Sequence, residues 1–156
     1  MTSASLPDRT AIEDTLYRYG SCIDRFDYVG LRALFAADVR AQYGNREPIV
    51  GADALVEWIR SSTSDCAWQH HFLSVYSVEI EGDEAKALVY HTSHRGVAAE
   101  PATVRVLVGR YHCALGRGRD GWLINELLLE ILRAERRTDP SGYLAEVGGA
   151  GPPPRP

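Results

Sequence analysis

From Asp8 to about Asp24 the apolar residues Ile12, Leu16, Tyr19 and Ile23 recur at i, i+4, i+7 and i+11, the single stripe of an amphipathic helix. Pro7 and Asp8 stand where a helix start favours a fixed φ and an acidic first turn. The spacing of Leu31, Leu34 and Phe35 predicts a second, shorter helix over Tyr28–Ala36. Val39–Tyr43 then reads as a short strand, with GNREP as a turn and Ile49-Val50 folding back as a hairpin. Gly51 opens a third helix carrying Leu55, Trp58 and Ile59, and SSTSD closes it. Beyond residue 66 the period changes to that of strands. Trp68–Glu81, Glu84–Arg95, Thr103–Leu115 and Trp122–Leu132 are long runs rich in β-branched and aromatic residues. The turns EGDE, GVAAEP and GRGRDG separate them, and such short connections make neighbours antiparallel.

Helices first and strands afterwards define an α+β domain, here three helices against a four-stranded antiparallel sheet. A curved sheet closed by helices on one side leaves a cone-shaped cavity. The domain is expected over residues 8–137, after a flexible start at 1–7. The Gly- and Pro-rich stretch 138–156 is expected to be a largely disordered tail. Arg133, Arg136 and Arg137 read as a solvated chain end.

With 156 residues, 45% of them hydrophobic, the chain fits one domain with its own core. A formal net charge of −4 argues against nucleic acid or an anionic membrane as partner. No window approaches the roughly 18 apolar residues of a membrane span. MTSASLPDRT also lacks the form of a secretion signal, so a cytoplasmic protein is expected. Cys22, Cys66 and Cys113 are an odd count without CxxC spacing, and read as small buried hydrophobes.

All five histidines lie between residues 70 and 112, in the strand region. Neighbours on a strand point to opposite faces, so only one of His70 and His71 points inward. His71 goes with Leu73 and Val75, and His70 with Phe72; period alone does not choose between them. His91 shares a face with Val89 and Ala87, and His94 with Tyr90 and Leu88. Arg110 and His112 share one face with Val108, while Tyr111, Cys113 and Leu107 take the other. Asp24 follows the helical stripe at a helix end, where the dipole disfavours a carboxylate by about 0.3–1 kcal/mol. Its two readings are a solvated residue of the DRFD turn and a carboxylate aimed into the cavity to orient a histidine base. GxSxG, GxGxxG and Walker A patterns are absent, and no His/Cys/carboxylate set has zinc spacing, so no metal is expected.

The segments IEDTLYRYGSCIDRFDYVGLRALFAADV, GADALVEWI, QHHFLSVYSVEIEGDEAKALVYH and GRYHCALGRGRDGWLI together resemble the SnoaL-like branch of the NTF2-like superfamily. That branch holds scytalone dehydratase, bile-acid dehydratases, a hexachlorocyclohexane dehydrochlorinase and polyketide cyclases. The resemblance covers residues 8 to 133. It implies an NTF2-like cone around an apolar pocket, and a homo-oligomer, trimer or dimer. Asp24 matches the acidic residue after the first helix, and His71 the catalytic histidine it pairs with. Tyr19 and Tyr43 resemble active-site tyrosines of the dehydratases, but Ile23 stands where scytalone dehydratase has a second tyrosine. Arg110 and His112 fall at ligand-facing positions, and His91 or His94 stands in for a second histidine.

The expected activity is therefore a cofactor-free proton transfer on a hydrophobic small molecule. His71, oriented by Asp24, removes an acidic C–H proton. Tyr43, Tyr19, His91 or His112 protonates a leaving hydroxyl or an enolate oxygen, and Arg110, if inward, holds a carboxylate or developing negative charge. Dehydration comes first, with isomerisation or polyketide cyclisation as alternatives on the same site. Two readings from other classes are a non-catalytic ligand-binding protein and the small subunit of a ring-hydroxylating oxygenase.

Overall fold

The stripe that begins near Asp8 forms α1 (Leu6–Asp24), which buries Ile12, Leu16, Tyr19 and Ile23 as expected. It opens a computed structural model that describes residues 6–139. Most of the expected tail and residues 1–5 of the expected flexible start lie outside the described residues. After α1 come α2 (Tyr28–Arg32), β1 (Phe35–Tyr43), β2 (Ile49–Val50), α3 (Ala52–Ser62), β3 (Cys66–Glu81), β4 (Glu84–Val97), β5 (Glu100–Arg117) and β6 (Trp122–Thr138). No helix among the described residues is long and apolar enough to cross a membrane.

Three expectations are corrected. The second helix stops at Arg32 rather than Ala36, because the Leu34 carbonyl accepts from Ile124 N–H at 2.8 Å and Phe35 already belongs to β1. The sheet has six strands rather than four, in the order β2-β1-β6-β5-β4-β3, with β1 parallel to β6. That parallel pair joins segments nearly ninety residues apart, and nothing in the local pattern announces it. Finally, the arginine-rich end is exposed to solvent as expected, but it is strand rather than a loose chain end. Arg133, Arg136 and Arg137 continue β6, paired with Val108, Arg105 and Val104.

One register shift shapes the inner face of the sheet. Val108 pairs with Arg133 and Gly109 with Ile131, so Leu132 is an extra residue in β6. Such a bulge bends the strand and changes the parity of its side chains. The face that carries Leu127 and Leu129 before the bulge therefore carries Ala134 and Arg136 after it.

The helices pack on that inner face. Asp8 accepts from Arg117 at 2.8 Å and from Trp122 Nε1 at 3.2 Å, and Thr15 donates to the Trp122 carbonyl at 3.1 Å. These contacts pin the start and middle of α1 to the β5–β6 turn. The core runs from Ile12 and Leu16 through Leu31, Val39 and Leu55 to Leu115, Ile124 and Leu127. All three cysteines are buried, as expected. The outer face stays open, exposing Phe72, Tyr76 and Tyr90, with Tyr76 stacked on Tyr90 at 4.9 Å.

At its C-terminal end α1 comes very close to β3. A Cβ placed on Gly20 lies 2.9 Å from Leu73 Cδ1 and 3.4 Å from His71 Cβ. The nearest obstacle is the mobile end of a leucine, so Gly20→Ala is expected to change stability by less than about 1 kcal/mol, the lost space offset by helix propensity. Gly20→Val drives a branched side chain into β3 and is expected to lose about 1–3 kcal/mol. Urea denaturation of the two variants checks the contrast, and equal stability would remove the close-approach argument.

Candidate active site

Asp24 lies one helical turn beyond Gly20, so both face β3. A chain reversal fixes it there. Asp27 N–H donates to the Cys22 carbonyl and Phe26 N–H to that of Ile23, with Phe26 at φ 55° in the left-handed region. The Asp24 carboxylate meets His71 at two points. Oδ2 accepts the His71 backbone N–H at 2.9 Å, and Oδ1 lies 2.6 Å from Nδ1. An ionised carboxylate only accepts, so Nδ1 carries the hydrogen and Nε2 is left as the basic nitrogen.

The His71 side chain is 1% exposed, whereas that of Asp24 is 22% exposed. Asp24 lines an outer groove with Tyr17, Arg25 and Phe72, and His71 stands between that groove and an inner chamber. The carboxylate thus backs the histidine rather than pointing into the cavity, which corrects the expectation for Asp24. A residue that ends a helix laid over the rim of β3 reaches the strand from outside.

The choice between strand faces is now settled. His71 faces in. His70 is exposed and pairs with His94 across the outer face, ring centroids 6.1 Å apart. His91 faces in with Ala87 and Val89, its ring 5.3 Å from His71 and 4.8 Å from Tyr111. Tyr19 and Tyr43 also meet in the chamber, hydroxyl to hydroxyl at 2.9 Å, with Tyr43 stacked on Trp58 at 4.5 Å.

Arg110 and His112 are not part of this group, a further correction. Tyr111 and Cys113 occupy the core, so the alternate positions face outward. There Arg110 and His112 bind the two oxygens of Glu130 at 3.1 and 2.9 Å. Two inward residues went unassigned from the sequence, Tyr111 and Arg95. Strand period carried the signal for both. Tyr111 takes the opposite face to Arg110, and Arg95 lies four residues beyond His91 on the same face.

Ile23, Trp58, Ile59, Leu107 and Leu129 supply apolar wall, and only about 30 Å³ of free volume remains, room for a water or two. Burial in this space keeps the three tyrosines and His91 uncharged. It raises the phenol of Tyr111 to about 12, with neighbouring groups adding smaller effects. Tyr19 and Tyr43 are raised as well, burial again being the main cause. His91 is pushed down to about 3 by burial, with His71 and Arg95 adding to the effect and Asp24 opposing it. Neither His91 nitrogen has a hydrogen-bond partner among the described residues, although the side chain is buried. The result is one oriented base beside three neutral tyrosines and a neutral histidine, with the Arg95 guanidinium at the edge of the chamber. Among the described residues no three of His, Cys, Asp and Glu gather as a metal-binding set.

A sequence profile of the SnoaL-like domain matches residues 4–127. A provisionally assigned scytalone dehydratase from Novosphingobium aromaticivorans superposes with a TM-score of 0.79 at 20% identity, over 86% of this chain and 91% of that one. The LinA-type3 hexachlorocyclohexane dehydrochlorinase from Novosphingobium barchaimii gives 0.75 at 12% identity, over 85% and 91%. A provisionally assigned dehydratase of the NTF2-like family from Streptomyces avermitilis gives 0.70 at 15%, over 81% and 99%. At these identities the likeness is one of fold. The sequence has no significant match among curated proteins.

The state of His91 makes a measurable demand on pH dependence. In the unfolded chain its imidazole takes up a proton as pH falls below its ordinary value of 6.5, whereas in the folded chain it stays neutral down to about 3. The unfolded state therefore binds more protons across that window. Its contribution to stability is full above pH 6.5 and is lost as pH falls toward 3, by up to roughly 1.4 kcal/mol per pH unit. Urea unfolding between pH 4 and pH 7 should show a shallower acid loss in His91→Gln than in the wild type. Parallel curves would place His91 in contact with water.

Proposed function

The chain belongs to the SnoaL-like family and has the NTF2-like fold, and on that premise we propose that it is a cofactor-free acid–base enzyme that eliminates water from a small organic molecule. The observation that carries the reading is the two-point hold of His71 by Asp24 at the wall of a chamber whose tyrosines and second histidine are kept neutral by burial. A solvated turn residue would have no reason to bind the backbone and the ring of one buried histidine together. Asp24 is a positioning residue, since it touches His71 and lies outside the chamber. It fixes the tautomer, aligns the ring and stabilises the imidazolium that forms.

The chemistry follows for a β-hydroxy ketone. Nε2 of His71 takes the proton from the carbon next to the carbonyl. The C–H electron pair becomes an enolate, whose oxygen is met by hydroxyls that burial keeps protonated, Tyr19, Tyr43 and Tyr111 among them. The enolate collapses to a carbon–carbon double bond as the C–O bond at the next carbon breaks. The His71 imidazolium gives its proton to the departing oxygen, water leaves and the base is restored. Neutral His91 offers one ring N–H and one lone pair to the substrate and carries no charge. Returning the proton to a different carbon would make the same site an isomerase, and attack of the enolate on a second carbonyl would make it a cyclase. Elimination is preferred because neighbours in fold are a dehydrochlorinase and provisionally assigned dehydratases.

Bicyclic β-hydroxy ketones test the reading, beginning with 3-hydroxy-1-tetralone, which loses water to give 1-naphthol. NMR in D2O follows both water loss and deuterium entry at the α-carbon. Wild-type protein is expected to catalyse one or both. His71→Ala should lower the rate about 10²- to 10⁴-fold with an unchanged circular dichroism spectrum, and Asp24→Asn should lower kcat more than it raises KM. A fully active His71→Ala chain, or no enzyme-dependent exchange anywhere in the panel, sinks the assignment.

A further inference from the structure

Beyond His91 the inner face of the sheet continues into a second cavity of about 420 Å³ lined by Ser93, Arg95, Arg105, Leu107, Ala134 and Arg136, among others. Arg95 borders this vestibule and the inner chamber alike. The strand register explains what surrounds it. Arg95 pairs directly with Arg105 on β5, and Arg105 pairs with Arg136 on β6. Directly paired residues share a face, so three guanidinium groups stand in one row across the sheet.

Like charges set side by side destabilise a sheet unless each is compensated. Arg105 has Asp65 at 3.1 Å, and Arg136 has Glu100. Arg95 makes no hydrogen bond or ion pair with any of the described residues. Gln69, its direct partner on β3, gives its amide to the Ile23 carbonyl, and its Oε1 has no hydrogen-bond partner among the described residues. The one uncompensated cation of the row is thus the one that reaches the reaction chamber. Arg95 already bears on the groups inside, opposing the charging of His91 and favouring the ionised forms of Tyr43 and Tyr111.

We propose that Arg95 anchors a carboxylate of the substrate at the junction of chamber and vestibule, while the reacting carbon sits at His71. This rests on the reading of His71 as base and adds the substrate class, a small carboxylic acid that bears the acidic C–H a few bonds from its carboxylate. The register sets that spacing. His71 pairs with Ser93, so Arg95 is its diagonal neighbour, about 7–8 Å away between backbones. A guanidinium binds a carboxylate through two parallel N–H donors, which fixes orientation as well as position. The chamber alone is too small for a whole substrate, and the vestibule gives the remainder a place to lie.

Isothermal titration with benzoate, phenylacetate and 3-phenylpropionate, each beside its neutral amide, tests the anchor without turnover. At least one acid is expected to bind the wild type about tenfold more tightly than its amide, the range of a charge-assisted hydrogen bond. Arg95→Gln should abolish that preference and leave amide binding little changed. Arg95→Lys should keep part of it, and Arg110→Gln on the outer face should keep all of it. His71→Ala should retain it too, which separates the anchor from the base: loss of turnover with intact discrimination touches only the base. Absence of any acid preference in the wild type, including absence of binding, or its survival in folded Arg95→Gln, overturns the proposal.

Discussion

One carboxylate joins the helical layer to the sheet at the place where chemistry is possible. The two bonds from Asp24 go to the backbone and the ring of the same residue, so the helix end cannot shift along β3 without also turning the imidazole. Gly20 favours that contact, since a branched side chain there would keep α1 from settling onto Leu73 and His71. Just beyond Asp24 the reversal at Phe26 ends the helix and turns the chain back over Cys22 and Ile23. The helix dipole opposes a carboxylate at that end, and charge-assisted hydrogen bonds are strong enough to offset such a term. Pins at Asp8 and Thr15 hold the remainder of α1, so the geometry of the dyad is imposed by the whole helix.

The chamber behind His71 works by exclusion. Its tyrosines and second histidine are all driven toward their neutral forms by the same cause, loss of water. A neutral phenol or imidazole can donate to a developing oxyanion without first having to lose a competing charge. Arg95, which has no hydrogen bond or ion pair among the described residues, stands where this chamber meets the vestibule.

The sheet separates two sets of polar residues that look alike in sequence. Arg110 and His112 are consumed by Glu130 on the outer face, whereas Arg95 and His91, two strand positions of the opposite kind, are turned inward. The bulge at Leu132 then brings Arg136 onto the inner face, in register with Arg105 and Arg95. A single inserted residue thereby changes which arginines line the vestibule.

Local pattern determined most of the fold. The stripe of α1, the alternation in four long strands and the turns between them were legible because amphipathic period and turn chemistry act over a few residues. The Asp24–His71 pairing was legible only through likeness to a family, since 47 positions separate the partners and no period connects them. Period by itself left each histidine two faces, and it stayed silent on the parallel β1–β6 pair, the early start of β1 and the continuation of β6. Those were decided by tertiary contact: which face the core claimed, where the bulge fell, and which cations found a carboxylate. Arg95 and Arg110 are the same residue type on adjacent strands, and only packing tells one from the other. Sequence fixes what a side chain can do chemically, but burial and partnership depend on neighbours that the chain brings together only by folding.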